Sequence, residues 1–139
     1  MSKILVIDDD PIIVATYRKA FSTAGFYVDS ANDGKTGLEK FHQWRPDIVL
    51  LDINIPELNG FAWLQTIRQD PHFAKFPIVV LTGGSTRANV LQAMSAGATT
   101  VMLKSRDDPQ RVIEVVNTAL NQDESHCWGG EHAPRRMHH

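Results

Sequence analysis

The chain has 139 residues, of which 42% are hydrophobic and 22% are charged, and these values are typical of a single globular domain. Its formal net charge of -2 argues against a nucleic-acid or membrane partner, because proteins that bind either one usually carry a clear excess of basic residues. No apolar stretch approaches the roughly 20 residues of a membrane-spanning helix. The single cysteine, Cys127, leaves no internal disulfide, which is consistent with a cytoplasmic location.

Short apolar segments alternate with helical patterns five times along the chain. The first helix is marked by Asp10 as N-cap, Pro11 in the first turn and Gly25 at the end. The third strand, in DIVLLDI, is apolar almost throughout, which is typical of a central strand covered on both faces. Strands are predicted over residues 4–7, 27–31, 47–53, 78–82 and 99–104. Helices are predicted over residues 11–24, 35–44 and 61–69, from the end of GGSTR to residue 96, and over 109–120.

This strict alternation predicts an α/β fold, a five-stranded parallel sheet with helices on both faces and right-handed crossovers. Residues 1–121 would form this one domain. Residues 122–139 carry little pattern and hold four of the six histidines. We expect them to form a flexible tail that is partly vector-derived or partly native.

Reactive side chains stand at the predicted ends of four strands. Ligands of such folds bind beyond the carboxyl ends of the strands, and parallel strands bring these ends to one edge. Three carboxylates, a hydroxyl and an ammonium are therefore expected to meet there. The residues are Asp8 and Asp9 after the first strand, Asp52 at the third, Thr82 at the fourth and Lys104 at the fifth.

Three clustered carboxylates repel one another unless a cation neutralises them or they take up protons. An all-oxygen ligand set suits a hard ion, and Mg²⁺ takes one or two carboxylates together with phosphate oxygens. Asp9 and Asp52 are predicted as direct ligands. Asp8 and Asp9 could instead be ordinary strand-end turn residues, but the reactive residues at neighbouring strand ends favour a metal site. Asp10 is assigned to the helix cap.

Four segments, VIDDDP, PDIVLLDINIPELNG, VVLTGG and VMLK, resemble in their order and spacing the receiver domain of two-component response regulators. The resemblance covers residues 3 to about 120. It implies a flavodoxin-like sheet with strand order 2-1-3-4-5. It also implies that a sensor histidine kinase or histidine phosphotransfer protein donates a phosphoryl group to Asp52 in a Mg²⁺-dependent step. By the same resemblance, the backbone carbonyl of Asn54 is a further ligand and Asp8 acts through a bound water.

In this interpretation Asp52 is the nucleophile that forms an acyl phosphate. Thr82 and the amide of Gly83 would donate hydrogen bonds to the phosphoryl oxygens, and Lys104 would supply a point charge. Taken alone, Thr82 and Lys104 could be an ordinary strand-end residue and a solvated lysine. Gly60, in the loop after Asp52, would either adopt a positive φ or begin the third helix.

Two positions depart from the family pattern. Receivers usually have a proline, preceded by a cis peptide, after the lysine of the fifth strand, but here the residue is Ser105. A cis bond before a non-proline residue costs roughly 3 kcal/mol, which slightly favours a trans Lys104–Ser105 bond. The usual aromatic switch residue is replaced by Val101, which is stiff and has no ring to bury. We therefore expect phosphorylation to shift residues 83–88 with little rearrangement at Val101.

The expected function is that of a stand-alone receiver, a signalling protein that catalyses only its own phosphorylation and dephosphorylation. It would bind a downstream protein through the fourth helix, fifth strand and fifth helix, and would be a monomer or a weak homodimer. One alternative is a fragment of a longer regulator. A haloacid dehalogenase type of phosphatase would need an acid where Asn54 stands. A binding module with a degenerate site conflicts with the complete residue set, and nothing after residue 121 resembles a DNA-recognition helix.

Overall fold

The computed structural model describes residues 2–83, 87–103 and 109–122. The strands are β1 (Lys3–Ile7), β2 (Tyr27–Ala31), β3 (Ile48–Asp52), β4 (Ile78–Thr82) and β5 (Thr100–Leu103). The helices are α1 (Pro11–Thr23), α2 (Gly34–Trp44), α3 (Gly60–Gln69), α4 (Arg87–Ser95) and α5 (Pro109–Gln122). None of the described helices combines the length and apolarity that a bilayer crossing requires.

The five strands form one parallel sheet in the order β2-β1-β3-β4-β5. Helices α1 and α5 cover one face of this sheet, and α2, α3 and α4 cover the other. All five residues of β3 are buried, as the apolar sequence of a central strand predicts. The predicted fold class and strand order are thus confirmed, and the carboxyl ends of β1 and β3 lie side by side.

The face under α2 and α3 is filled by an aromatic cluster. The ring of Phe41 meets the rings of Trp63, Phe73 and Phe76 in T-shaped contacts, with centroids 5.0 to 5.6 Å apart. Edge-to-face geometry is favourable because the positive ring edge meets the negative face. This packing holds α2 and α3 against the sheet and so places the loop that leads out of β3.

Helix ends lie close to where the capping residues predict them. The Asp10 carboxylate accepts a hydrogen bond from the Ile12 amide at 2.9 Å and caps α1. Gly25 follows α1 with a φ of 97°, the left-handed conformation that glycine adopts most readily. Asp33 caps α2 through the Thr36 amide, so this helix begins one residue before its predicted start.

The structure adds to the predicted elements in two places. A 3-10 turn, Pro71–Phe73, precedes β4 and was missed because three residues are too short to show a helical period. Helix α5 extends through Gln122, two residues beyond its predicted end at residue 120. Residues 123–139 lie outside the described part of the chain.

Gly60 is the first residue of α3, which decides between the two roles predicted for it. Its amide donates a hydrogen bond to the Ile53 carbonyl at 2.8 Å. A Cβ at this position would lie 2.5 Å from the Cα of Ile53 and 2.7 Å from the backbone oxygen of Asp52. Glycine is therefore required because α3 begins in contact with the main chain at the end of β3.

We predict that Gly60→Ala lowers the free energy of unfolding by about 2 kcal/mol, because the new methyl group overlaps backbone that cannot easily move. Gly37→Ala is the matched control within α2. The atoms nearest to its Cβ would be side-chain atoms of Ile7, with Cδ1 at 2.7 Å, and not backbone, and alanine favours a helix interior by about 1 kcal/mol. Urea denaturation of both variants measures the difference, and equal stabilities would contradict this account of Gly60.

Candidate functional site

Three carboxylates meet at the carboxyl edge of the sheet. Asp8 and Asp9 follow β1 directly, and Asp52 is the last residue of β3, the neighbouring strand. One carboxylate oxygen from each side chain lies within 4.8 Å of the other two. The structure therefore brings together the three acids that the sequence placed at strand ends, and Asp10 stands apart from them as a helix cap.

The three acids differ in burial and in support. Asp8 and Asp52 are 1% and 3% exposed, whereas Asp9 is exposed. An oxygen of Asp8 accepts a hydrogen bond from the Asp10 amide at 2.9 Å, and an oxygen of Asp52 accepts one from the Asn54 amide at 3.2 Å. Main-chain donors thus orient the two buried carboxylates, while Asp9 faces solvent.

The cluster has the chemistry of a site for a hard cation. Within residues 2–83, 87–103 and 109–122, it is the one group of three or more Asp, Glu, His or Cys side chains close enough to share an ion. Every ligand atom that the cluster offers is a carboxylate oxygen. Negative charges this close together attract a cation, and the attraction is stronger where water is excluded. The donor set fits Mg²⁺, which combines a few carboxylates with water and phosphate oxygens.

Asn54 lies in the loop that follows Asp52 and is exposed. The loop is anchored by Ile53 and Ile55, which are 4% and 5% exposed. Further along, Glu57 adopts a left-handed conformation with a φ of 71°, which is unusual for a residue other than glycine. The loop therefore takes a tight course beside Asp52.

Thr82 is the last residue of β4 and is fully buried. Asp52 pairs with Leu81 on this strand, so Thr82 lies one residue further toward the carboxyl edge. Gly83 follows and is exposed. These positions place Thr82 and Gly83 at the same edge of the sheet as the acid cluster.

Two further predicted features fall partly or wholly outside the described residues. Leu103 pairs with Thr82, and Lys104 follows it in the sequence, but Lys104 and its bond to Ser105 are outside the described part of the chain. Val101 is described. It is half-buried, pairs with Val80 and packs against the core under α2, α3 and α4.

The sequence analysis missed two cations near the end of β2. Arg18 of α1 donates a hydrogen bond to the Ser30 hydroxyl at 2.9 Å. Lys40 of α2 donates one to the Ser30 carbonyl at 2.6 Å. The two side chains come from different helices and carry no shared sequence signal, so only the packing of α1 and α2 around β2 reveals their convergence.

Substitution of Asp10 tests whether this residue acts as the cap of α1 and stands apart from the acid cluster. We predict that Asp10→Ala lowers the free energy of unfolding by about 1 kcal/mol, because the Ile12 amide loses its acceptor. Asp10→Ser should retain most of that stability, since serine is an equally good N-cap. Chemical denaturation distinguishes the two variants, and a fully stable alanine variant would show that the cap contributes nothing.

Comparison with known proteins identifies the family that the chain matches. A family model described as "Response regulator receiver domain" matches residues 4–123. The chemotaxis protein CheY of Thermotoga maritima is 32% identical over 116 residues, which cover 83% of this chain and 94% of that protein. The solved structure of the chemotaxis response regulator CheY4 of Vibrio cholerae is similar with a TM-score of 0.79 and 26% identity, over 86% of this chain and 98% of that one.

Other relatives are longer than this chain. The DNA-binding dual master transcriptional regulator RpaA of Synechocystis is 32% identical over 115 residues, which cover 83% of this chain but 48% of that regulator. Across three such regulators, the chain spans between 23% and 48% of their length. The chain therefore matches only part of each of these regulators.

Proposed function

This chain belongs to the family of response regulator receiver domains, the phosphoacceptor modules of two-component signalling, and from that membership we propose that it accepts a phosphoryl group on Asp52. The observation that carries the proposal is the cluster of Asp8, Asp9 and Asp52, with one oxygen of each within 4.8 Å of the others. Asp52 is the member that ends a central strand, and the buried residue Thr82 ends the neighbouring strand β4.

The chemical step is a displacement at phosphorus. A carboxylate oxygen of Asp52 attacks the phosphoryl group of a donor phosphohistidine, the new oxygen–phosphorus bond forms, and the bond to the imidazole nitrogen breaks. The imidazole leaves and takes up a proton. The hydrogen bond from the Asn54 amide holds the Asp52 carboxylate in one orientation, and this positioning is the main requirement of phosphoryl transfer.

Asp9 and Asp52, together with the backbone carbonyl of Asn54, are the ligands we propose for Mg²⁺, with Asp8 acting through a water molecule. When bound, the ion would neutralise the acid cluster and the charge on the transferring oxygens. Asp9 is exposed, so it is the carboxylate that an incoming ion meets first. The bond from the Asp10 amide keeps the Asp8 carboxylate fixed beside it.

Thr82, Gly83 and Lys104 are the residues we propose to bind the phosphoryl oxygens. The burial of Thr82 at the end of β4 supports a hydroxyl held in place for one oxygen. The Gly83 amide follows it directly and would donate to another. Lys104 follows the strand position that pairs with Thr82 and would supply a positive charge opposite the metal.

The output we propose is a change in contacts with a downstream protein, through the surface formed by α4, β5 and α5. Two large apolar side chains on α4, Leu91 and Met94, are 58% and 48% exposed, which supports a protein contact there. The donor would be a sensor histidine kinase or a histidine phosphotransfer protein. We predict that the protein acts alone in the cytoplasm, as a monomer or weak homodimer. The alternative prediction is that the chain is a receiver fragment of a longer regulator. Hydrolysis of the acyl phosphate would reset the protein.

Incubation with acetyl phosphate and Mg²⁺ tests the proposal. We expect intact-mass measurement to show one added phosphoryl group, because the Asp52 carboxylate can attack a small acyl phosphate as it attacks phosphohistidine. The label should be absent from Asp52→Asn and should not form when the metal is chelated. Asp9→Ala should label at least about tenfold more slowly, since it removes a metal ligand.

Asp10→Ser is the matched control for this experiment, because it changes the adjacent acid while retaining the helix cap. It should label like the parent protein. A mass gain that survives in Asp52→Asn would overturn the site assignment, and equal labelling of Asp9→Ala would remove Asp9 from the metal site.

The route of the signal can be tested with beryllofluoride, a phosphoryl mimic. Because Val101 is stiff and packed against the core, we expect amide chemical-shift changes to be large across 83–88 and small at Val101 and its neighbours in β5. Shift changes centred on β5 that spare residues 83–88 would contradict this route.

A further inference from the structure

A groove lies beyond the end of β2, between α1 and α2. Its volume is about 610 Å³, within the range of roughly 300–1,000 Å³ that ligand-binding clefts occupy. Asp8 and Asp9 line one part of it, so the groove is continuous with the acid cluster but extends away from it. Its other lining residues include Val14, Ala15, Arg18 and Lys40.

The middle of the groove is aliphatic. Val14 and Ala15 contribute methyl groups from α1, and Ala31 contributes one from the end of β2. Val14 is half-buried and packs against the core, and Ala31 is buried, whereas Ala15 is exposed. These three residues are therefore held in place by the fold, and their methyl groups can contact aliphatic side chains of a bound segment.

Two cationic side chains are held at Ser30. Arg18 also donates to the Val28 carbonyl at 3.3 Å, and Lys40 forms an ion pair with Asp29 at 3.1 Å. A guanidinium has more N–H donors than the two that Arg18 uses in these bonds, and an ammonium has one more than Lys40 uses. Arg18 therefore retains N–H donors for an anion without leaving its place, whereas Lys40 retains one N–H donor and shares its charge with Asp29.

The groove has opposite charges at its two ends. Asp9 lies two residues before the start of α1, whereas Arg18 lies about two turns along that helix, about 10 Å from its first residue. The aliphatic residues Val14 and Ala15 lie between them in the sequence of the helix. A ligand carboxylate is attracted to the Arg18 end of the groove, which favours one orientation of a bound segment.

We propose that this groove binds a segment of a partner protein in which a glutamate or aspartate lies among aliphatic side chains. The carboxylate meets Arg18 and Lys40, and the aliphatic side chains meet Val14 and Ala15. The segment then lies beside Asp9. This inference rests on the proposed function, because a phosphoryl-donating protein can present this segment while its histidine faces the phosphorylation site.

The test uses nitrogen-15-labelled protein in Mg²⁺ buffer and two synthetic peptides, acetyl-Leu-Ala-Glu-Leu-amide and the same peptide with glutamine in place of glutamate. We expect the glutamate peptide to shift the backbone amides of Val14, Ala15, Ser30 and Ala31. The glutamine peptide should bind about tenfold more weakly, because it loses a charge-assisted hydrogen bond. Equal binding of both peptides, no shifts, or shifts confined to other surfaces would overturn the proposal.

Variants identify the groups responsible. Arg18→Gln and Lys40→Gln should each weaken binding of the glutamate peptide about tenfold. Lys19→Gln is the matched control, because Lys19 is exposed on the same helix and does not line the groove. The proposal is overturned if Lys19→Gln weakens binding as much as Arg18→Gln does.

Acetyl phosphate labelling of the unmodified protein, on the same preparation, distinguishes failure of the groove proposal from failure of the proposed phosphorylation of Asp52. Labelling without peptide binding overturns the groove and leaves the role of Asp52 intact. Peptide binding without labelling supports the groove and overturns the proposed phosphorylation.

Discussion

Repulsion among Asp8, Asp9 and Asp52 is the constraint on which the rest of the structure depends. A parallel sheet forces the ends of β1 and β3 to one edge, and two of the three acids there are nearly inaccessible to water. Such an arrangement costs free energy, which the apolar packing on both faces of the sheet must offset. The same repulsion makes the edge a receptor for a cation, so an unfavourable feature of the fold becomes the basis of its chemistry.

Backbone amides help to position the buried acids. Amides at residues 10 and 54 bond the buried carboxylates of Asp8 and Asp52, and Gly60 allows α3 to contact the end of β3. Because each donor belongs to a loop tied to a helix start, the geometry of the cluster depends on where α1 and α3 begin. Helix capping, which is usually a matter of stability, here also controls the placement of reactive oxygens.

Much of the fold could be predicted because its signals are local. Asp10 and Gly25 mark the ends of α1 through capping chemistry that involves only their neighbours in sequence. The apolar run of β3 predicts a strand covered on both faces. The 3-10 turn at Pro71–Phe73 and the extra residues of α5 were missed because short or terminal segments are decided by packing, not by periodicity.

The sequence by itself determined the order of strands and helices, and which acids follow β1 and end β3, because strand ends and caps depend on local composition. Strand order came from resemblance to a family and was confirmed by the hydrogen-bonded sheet. Only the tertiary structure decided that Arg18 and Lys40 meet at Ser30. They lie 12 and 10 residues from Ser30 on different helices, and the reach of one side chain toward another depends on how α1 and α2 pack around the sheet.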